Sequence, residues 1–321
     1  MKKYMFPVFI LIISFLLSAC ATKEEVAVEI QPTNAPEPTA VPYMTPGEPS
    51  PEAERILEDS DASLKAAEKR VVSGDNFLNN LYERPFTSLD MDYQPDLNIL
   101  TVSIFGDELF YYFTITLDGV NPTSGMLSGN YGIEFDRTQS GRGDMLVMAS
   151  SPNAEWTMDN VTVYVDPNGT VGGIKPVVAE AGYEESGYTD TFEMTPEKVA
   201  WARLAPDDPN AIQIAVSRAL LDDPEEFLWG AWADGGLQDP SLFDYDDHFG
   251  PSAAGSPVRG EDYPVKEVAN LDNTCRLPYG FEASGGIPGI CISIPEPSHQ
   301  VSCVCVQWAT VAHICIQWSC Q

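Results

Sequence analysis

The sequence predicts a mainly β protein: an antiparallel β-sandwich with a short N-terminal helix and a disulfide-rich C-terminal β segment. Three observations lead there. Segments of strand length, rich in β-branched and aromatic residues, follow one another from Leu97 onward. Clusters of Gly, Asn, Asp and Pro separate them and supply the positions that reverse a chain. No helical period is interleaved between them, so each half-buried sheet needs another sheet to cover it. With 24 glycines and 26 prolines in 321 residues, long helices are disfavoured, while 44% hydrophobic residues provide a core.

The chain opens with Lys2 and Lys3, an apolar stretch from Tyr4 to Leu17 interrupted by Pro7, and then Leu17-Ser18-Ala19-Cys20. The stretch is shorter than the roughly 18–20 residues that span a bilayer, so residues 1–19 read as a removable export leader. Small residues leading into Cys20 resemble the bacterial lipobox, which implies that Cys20 is lipidated and becomes the mature N-terminus. Residues 20–53 contain Pro32, Pro36, Pro38, Pro42, Pro46, Pro49 and Pro51 among Thr, Glu and Ala, the composition of an extended, solvated tether. The expected setting is the extracytoplasmic side of a bacterial cell envelope, with the lipid holding the chain to a membrane.

Residues 54–84 form the helical segment. Glu52–Arg70 is rich in Ala, Glu, Lys and Leu, with Ile56, Leu57 and Leu64 spaced for one face of a short amphipathic helix that Gly74-Asp75 ends. Residues 85–262 form the sandwich, with strands expected at Leu97–Ile104, Glu108–Leu117, Tyr131–Asp136, Met145–Ala149, Val161–Val165 and Ala211–Leu220. In the last of these, Ile212, Ile214, Val216 and Leu220 share one face and Gln213 and Ser217 the other. Residues 263–321 hold Cys275, Cys291, Cys303, Cys305, Cys315 and Cys320, an even number that suggests disulfides in an exported protein and leaves their pairing open. Val304–Ala309 and Ile314–Ser319 repeat one pattern, as two strands of a hairpin would.

A formal net charge of −31 argues against nucleic acid as a partner. The Gly-x-Ser-x-Gly elbow, His-Glu-x-x-His and phosphate-loop motifs are missing, which leaves enzymatic activity without a signature. A glycosidase needs only two facing carboxylates, so that class stays open among 48 acidic residues.

The run Asp96–Ile99 into Leu109–Ile115, then Tyr131–Asp136 and Gly143–Val147, resembles the DOMON-like sandwich related to family 9 carbohydrate-binding modules. Ile212–Val216, Ala219–Leu221 and Phe227–Trp232 resemble the late strands of those modules. The resemblance covers about residues 85–250 and implies a binding role with carbohydrate as ligand, where aromatic rings stack on sugar faces. Trp156, Trp201, Trp229 and Trp232 are the aromatic candidates, and Trp229 and Trp232, three apart, belong on opposite faces of one strand. DOMON relatives include haem proteins with Met ligands, for which Met126, Met145, Met148 and Met158 are available. The body also resembles exported lipoproteins of environmental bacteria that share the element Asp272–Arg276, a likeness that implies no activity. Asp244, Asp246 and Asp247 lie in one acidic tract and are candidate oxygen ligands for Ca²⁺. The competing expectation is an envelope structural or protein-interaction module without a small ligand. Exposed tryptophans would then be absent.

Overall fold

The computed structural model describes residues 41–76, 80–167, 169, 171, 187–188, 190–236, 249, 251–255, 265–282, 290–291, 303–308 and 315–320. The leader, Cys20 and the tract Asp244, Asp246 and Asp247 lie outside the described residues. The chain divides into two compact units, Met1–Val41 and Pro42–Gln321, and every described strand belongs to the second.

In chain order the strands are β1 (Arg55–Glu58), β2 (Glu83–Arg84), β3 (Ile99–Gly106), β4 (Phe110–Leu117), β5 (Asn130–Asp136), β6 (Met145–Ser150) and β7 (Val161–Val165). They continue as β8 (Asp190–Thr191), β9 (Ala200–Ala205), β10 (Asp208–Ser217), β11 (Phe227–Asp234), β12 (Leu271–Asn273), β13 (Leu277–Tyr279), β14 (Cys303–Trp308) and β15 (Cys315–Cys320). The small sheet runs β1-β3-β4-β10-β9, and the large sheet runs β2-β12-β11-β5-β6-β7-β8 with β13 also paired to β11. The pairings are antiparallel.

Period-2 alternation explains the core. Ile104, Phe113, Ile115, Ile212, Ile214 and Val216 of the small sheet meet Ile133, Phe135, Val147, Val163, Phe227 and Trp229 of the large one, all buried. Phe113 lies with its ring centre 5.1 Å from that of Trp229 and packs edge-on against Phe135 at 5.5 Å. Both outer faces are covered as well. Tyr82, Leu146, Met148, Tyr188, Trp232 and Leu271 form a second apolar layer on the large sheet, into which the short helix Pro251–Ala254 contributes Ala254. Phe110, Tyr112, Val199 and Ala215 form another on the small sheet.

The strand expected to run to Leu220 ends at Ser217, where Arg218–Leu221 turn into a 3-10 helix, and three segment boundaries also differ from the sequence expectation. The helix is reduced to α1 (Ser63–Ala66), and the residues before it form the edge strand β1. There Leu57 packs on the core while Ile56 stays exposed, so a period of 2 replaces the expected helical face. The end of the tether is seated on the sandwich: Met44 N–H bonds Pro196 O, Gly47 N–H bonds the Tyr112 hydroxyl, and Glu48 pairs with Arg203. At the other end, β12 and β13 extend the large sheet beyond residue 262, because the return beside β11 is broken into two three-residue pieces.

The disulfide Cys275–Cys291 is formed. β14 and β15 make the expected hairpin, with Cys303 opposite Cys320 in register. The side chains of that hairpin lie outside the described residues.

Candidate functional site

The four tryptophans separate into two kinds. Trp229 and Trp232 do point to opposite faces of β11, as their spacing requires, but neither is a surface residue. Trp229 is sealed between the sheets and Trp232 is sealed under the outer layer of the large sheet, at 0% and 1% exposure, which removes both as ligand platforms. Trp156 and Trp201 are half-buried on the outer face of the small sheet. Arg203 stacks over the Trp156 ring at 4.3 Å, and the Trp201 indole N–H donates to Met44 O at 3.0 Å. A groove of about 330 Å³ beside them is lined by Phe105, Tyr112, Arg203 and Gln213 and roofed by Glu48–Pro51. The methionines suggested as haem ligands are scattered. Met145 is in the inter-sheet core, Met148 in the outer layer, and Met126 is exposed.

A larger cleft, about 580 Å³, opens where the start of β1, the turn after β10 and the end of β13 meet. Tyr279 and Phe281 contribute aromatic surface, and Arg55, Arg218, Glu54 and Glu225 contribute donors and acceptors. Four of them are held in place. Tyr279 stacks on Phe227 with ring centres 4.9 Å apart, Arg218 lies 4.6 Å over the Tyr111 ring, and Arg55 donates to Phe281 O and to Glu282. Glu54 accepts from Gly106 N–H at 3.0 Å and so spans from β1 to the end of β3. The volume and the aromatic-plus-polar lining fit a small polar ligand. None of these residues stood out in the sequence, since they come from four separate segments.

At the far end of β1 lies a third constellation. Asp59 follows β1, Glu83 is in β2 and Asp272 in β12, and the β2–β12 register sets Asp272 directly opposite Glu83. One carboxylate oxygen from each of the three lies within 4.8 Å of the others. Asp272 is fully buried and Glu83 only 4% exposed. Asp272 accepts from Ile99 N–H at 2.7 Å and from Asn273 N–H, Asp59 accepts from Ser60 N–H, and Glu83 accepts from the Ser60 hydroxyl while its carboxyl comes within hydrogen-bonding range of Asp272. The remaining oxygens, Asp59 Oδ2, Glu83 Oε2 and Asp272 Oδ1, are buried without a hydrogen-bond partner. Burial, reinforced by the neighbouring carboxylates, pushes Glu83 up to about 9 and Asp272 well above its usual range. Burial likewise raises Asp59 to about 7.

The chain solves the same problem differently elsewhere. Glu134 of β5, buried beneath Tyr188, receives Arg276 at 2.9 Å, and Asp75 receives Arg84 through two nitrogens at 2.7 and 3.0 Å. Among the described residues no Lys or Arg pairs with Asp59, Glu83 or Asp272.

No protein-family model matches the chain, and no curated protein or solved structure was found to be similar to it. The likeness to DOMON-type sandwiches therefore rests on the residues quoted above.

Proposed function

We propose that the chain is an exported lipoprotein, tethered through Cys20 to a bacterial envelope membrane, whose β-sandwich binds carbohydrate in the cleft under β1. The cleft carries this reading. It sets the rings of Tyr279 and Phe281 beside Arg55, Arg218, Glu54 and Glu225. A sugar presents an apolar C–H face edged with hydroxyl donors and acceptors, and this lining offers a surface for each. The −31 net charge favours a neutral or cationic glycan over a polyanionic one.

The test is retention of the full chain, purified in detergent, on a panel of immobilised polysaccharides. Saturable retention that weakens in Arg55→Ala and Glu225→Gln, with unfolding unchanged, supports the reading. A folded chain that no member of the panel retains overturns it. The tether is tested separately by incorporation of labelled palmitate, expected in the wild type and lost in Cys20→Ala.

A second reading, an envelope protein-interaction module, is favoured by one observation: of the four tryptophans in the sandwich none is exposed, and the strap at 42–51 occupies the face where Trp156 and Trp201 lie. Chemical cross-linking on intact cells distinguishes it, by a defined partner protein in place of glycan retention.

A further inference from the structure

A buried carboxylate needs a cation, a proton or a set of hydrogen bonds to offset its lost hydration. Asp59, Glu83 and Asp272 bring three such groups together, and Asp59 Oδ2, Glu83 Oε2 and Asp272 Oδ1 are buried with no protein N–H or hydroxyl donating to them. The side chains of Asp272 and Glu83 are more than nine-tenths buried, so water does not do the work in bulk. One oxygen from each carboxylate lies within 4.8 Å of the others, close enough for all three to reach one ion at a Ca²⁺–oxygen distance of about 2.4 Å. Three oxygen donors without nitrogen or sulfur suit a hard cation.

The surroundings are shaped for an occupant. Gly74 walls one side, where a Cβ would collide with Glu83 Oε1 and Ser60 Oγ. Asp59 and Ser60 are half-buried as residues, so the cluster lies nearest to solvent on that side. Arg84, the residue after Glu83 in β2, is committed to Asp75.

We propose that Asp59, Glu83 and Asp272 form a Ca²⁺ site that joins the edge of the small sheet to the edge of the large one. Asp59 leaves β1 of the small sheet, while Glu83 and Asp272 face each other across β2 and β12 of the large sheet. Asp272 also accepts from Ile99 at the start of β3, so the ion's ligands are anchored in both layers. Calcium tolerates irregular shells of six to eight oxygens, and waters entering beside Asp59 complete this one.

The experiment is calcium titration of the full chain, stripped with chelator and kept in detergent, read by calorimetry and thermal unfolding, with Mg²⁺ in parallel. The expected result is calcium uptake that raises the unfolding temperature, with a weaker response to Mg²⁺. Glu83→Gln and Asp272→Asn are expected to stay folded in chelator, since each removes a buried negative charge, and to lose both the uptake and the thermal shift. Two results overturn the proposal. One is a folded wild type that takes up no calcium at millimolar concentration, which assigns the cluster to shared protons. The other is an uptake that survives unchanged in both variants, which places the ion elsewhere in the chain.

Discussion

Glu134 and Glu83 sit on strands of the same sheet, are 3% and 4% exposed, and meet opposite surroundings. Glu134 receives the guanidinium of Arg276 and the hydroxyl of Tyr188. Glu83 receives the carboxyls of Asp272 and Asp59. Both strands could have carried apolar residues at these positions, and a hydrophobic replacement of a buried ion pair is often neutral or better for stability. The difference teaches where the missing charge comes from. One site brings its cation within the chain, from the element Asp272–Arg276, while the other end of that same short element adds a negative charge and leaves the balance to something outside the chain.

The largest way to break the comparison is to make the first site resemble the second. Arg276→Met leaves Glu134 buried without its cation, and the expected loss is about 3–5 kcal/mol of unfolding free energy in chemical denaturation. Tyr188 does not rescue it, because Glu134 and burial already push its phenol far above the ordinary range and it can only donate a neutral bond. Adding Glu134→Gln to Arg276→Met should restore much of the loss. If the double variant is as unstable as the single one, packing of the Arg276 stem rather than charge is what matters there.

The next effect concerns how Arg276 is held. Its neighbour Cys275 is bonded to Cys291, closing a 16-residue separation, and Cys291 N–H donates to Arg276 O. A loop of that size is worth about 3 kcal/mol through the unfolded chain. Cys275→Ala with Cys291→Ala should lower the unfolding free energy by about that amount and leave the calcium response intact. A lost calcium response would instead mean that the staple also positions Asp272.

Much of the scaffold for both sites is legible in the sequence, because strand alternation is local. Val161–Val165 emerges with the expected bounds, and Ile212, Ile214 and Val216 turn to the core as their spacing requires. β1 is not legible: Glu, Arg and Leu are good helix formers, and only pairing with β3 makes Arg55–Glu58 a strand. The burial of Trp232 is not legible from its strand, because the layer above it is built from Tyr82, Tyr188, Val268 and Leu271, distant in sequence. The carboxylate triad is hidden for the same reason. Asp59, Glu83 and Asp272 are unremarkable singly, and only the β2–β12 register and the approach of β1 gather them.

A smaller effect sharpens the second site directly. In chelator the folded chain holds Glu83 and Asp272 protonated where the unfolded chain, with carboxyls near about 4, has released them. The folded state therefore binds more protons above pH 4, and the stability linked to them is full below that pH. It is lost as pH rises through the folded value of about 7 for Asp59 and about 9 for Glu83. Glu83→Gln removes one of these titrations, so at pH 8 in chelator it should be more stable than the wild type by about 1–2 kcal/mol, with a shallower decline over pH 6–9. Calcium should reverse the order, because it binds the charged wild-type cluster. Equal stabilities at every pH, with and without calcium, would show that the three carboxyls do not interact.

The smallest effect comes from a pair that needs neither remedy. Arg203 is buried but Glu48 is largely exposed, with water beside the carboxylate. The Arg203 hydrogen bond lowers the Glu48 pKa, so here the linkage has the opposite sign: its stability is present above the usual carboxylate range and is lost as pH falls through the lowered value. Solvent screening keeps it below about 1 kcal/mol, and Glu48→Gln should cost no more than that at low salt and almost nothing at high salt. Proteolysis of the strap near residue 48 is the more sensitive reading, because the same pair, with Met44 and Gly47, holds the strap on the small sheet. Faster cleavage in Glu48→Gln with unchanged global unfolding would locate that ion pair's effect in the strap, whereas a large global loss would mean that Arg203, like Arg276, depends on its carboxylate for the fold itself.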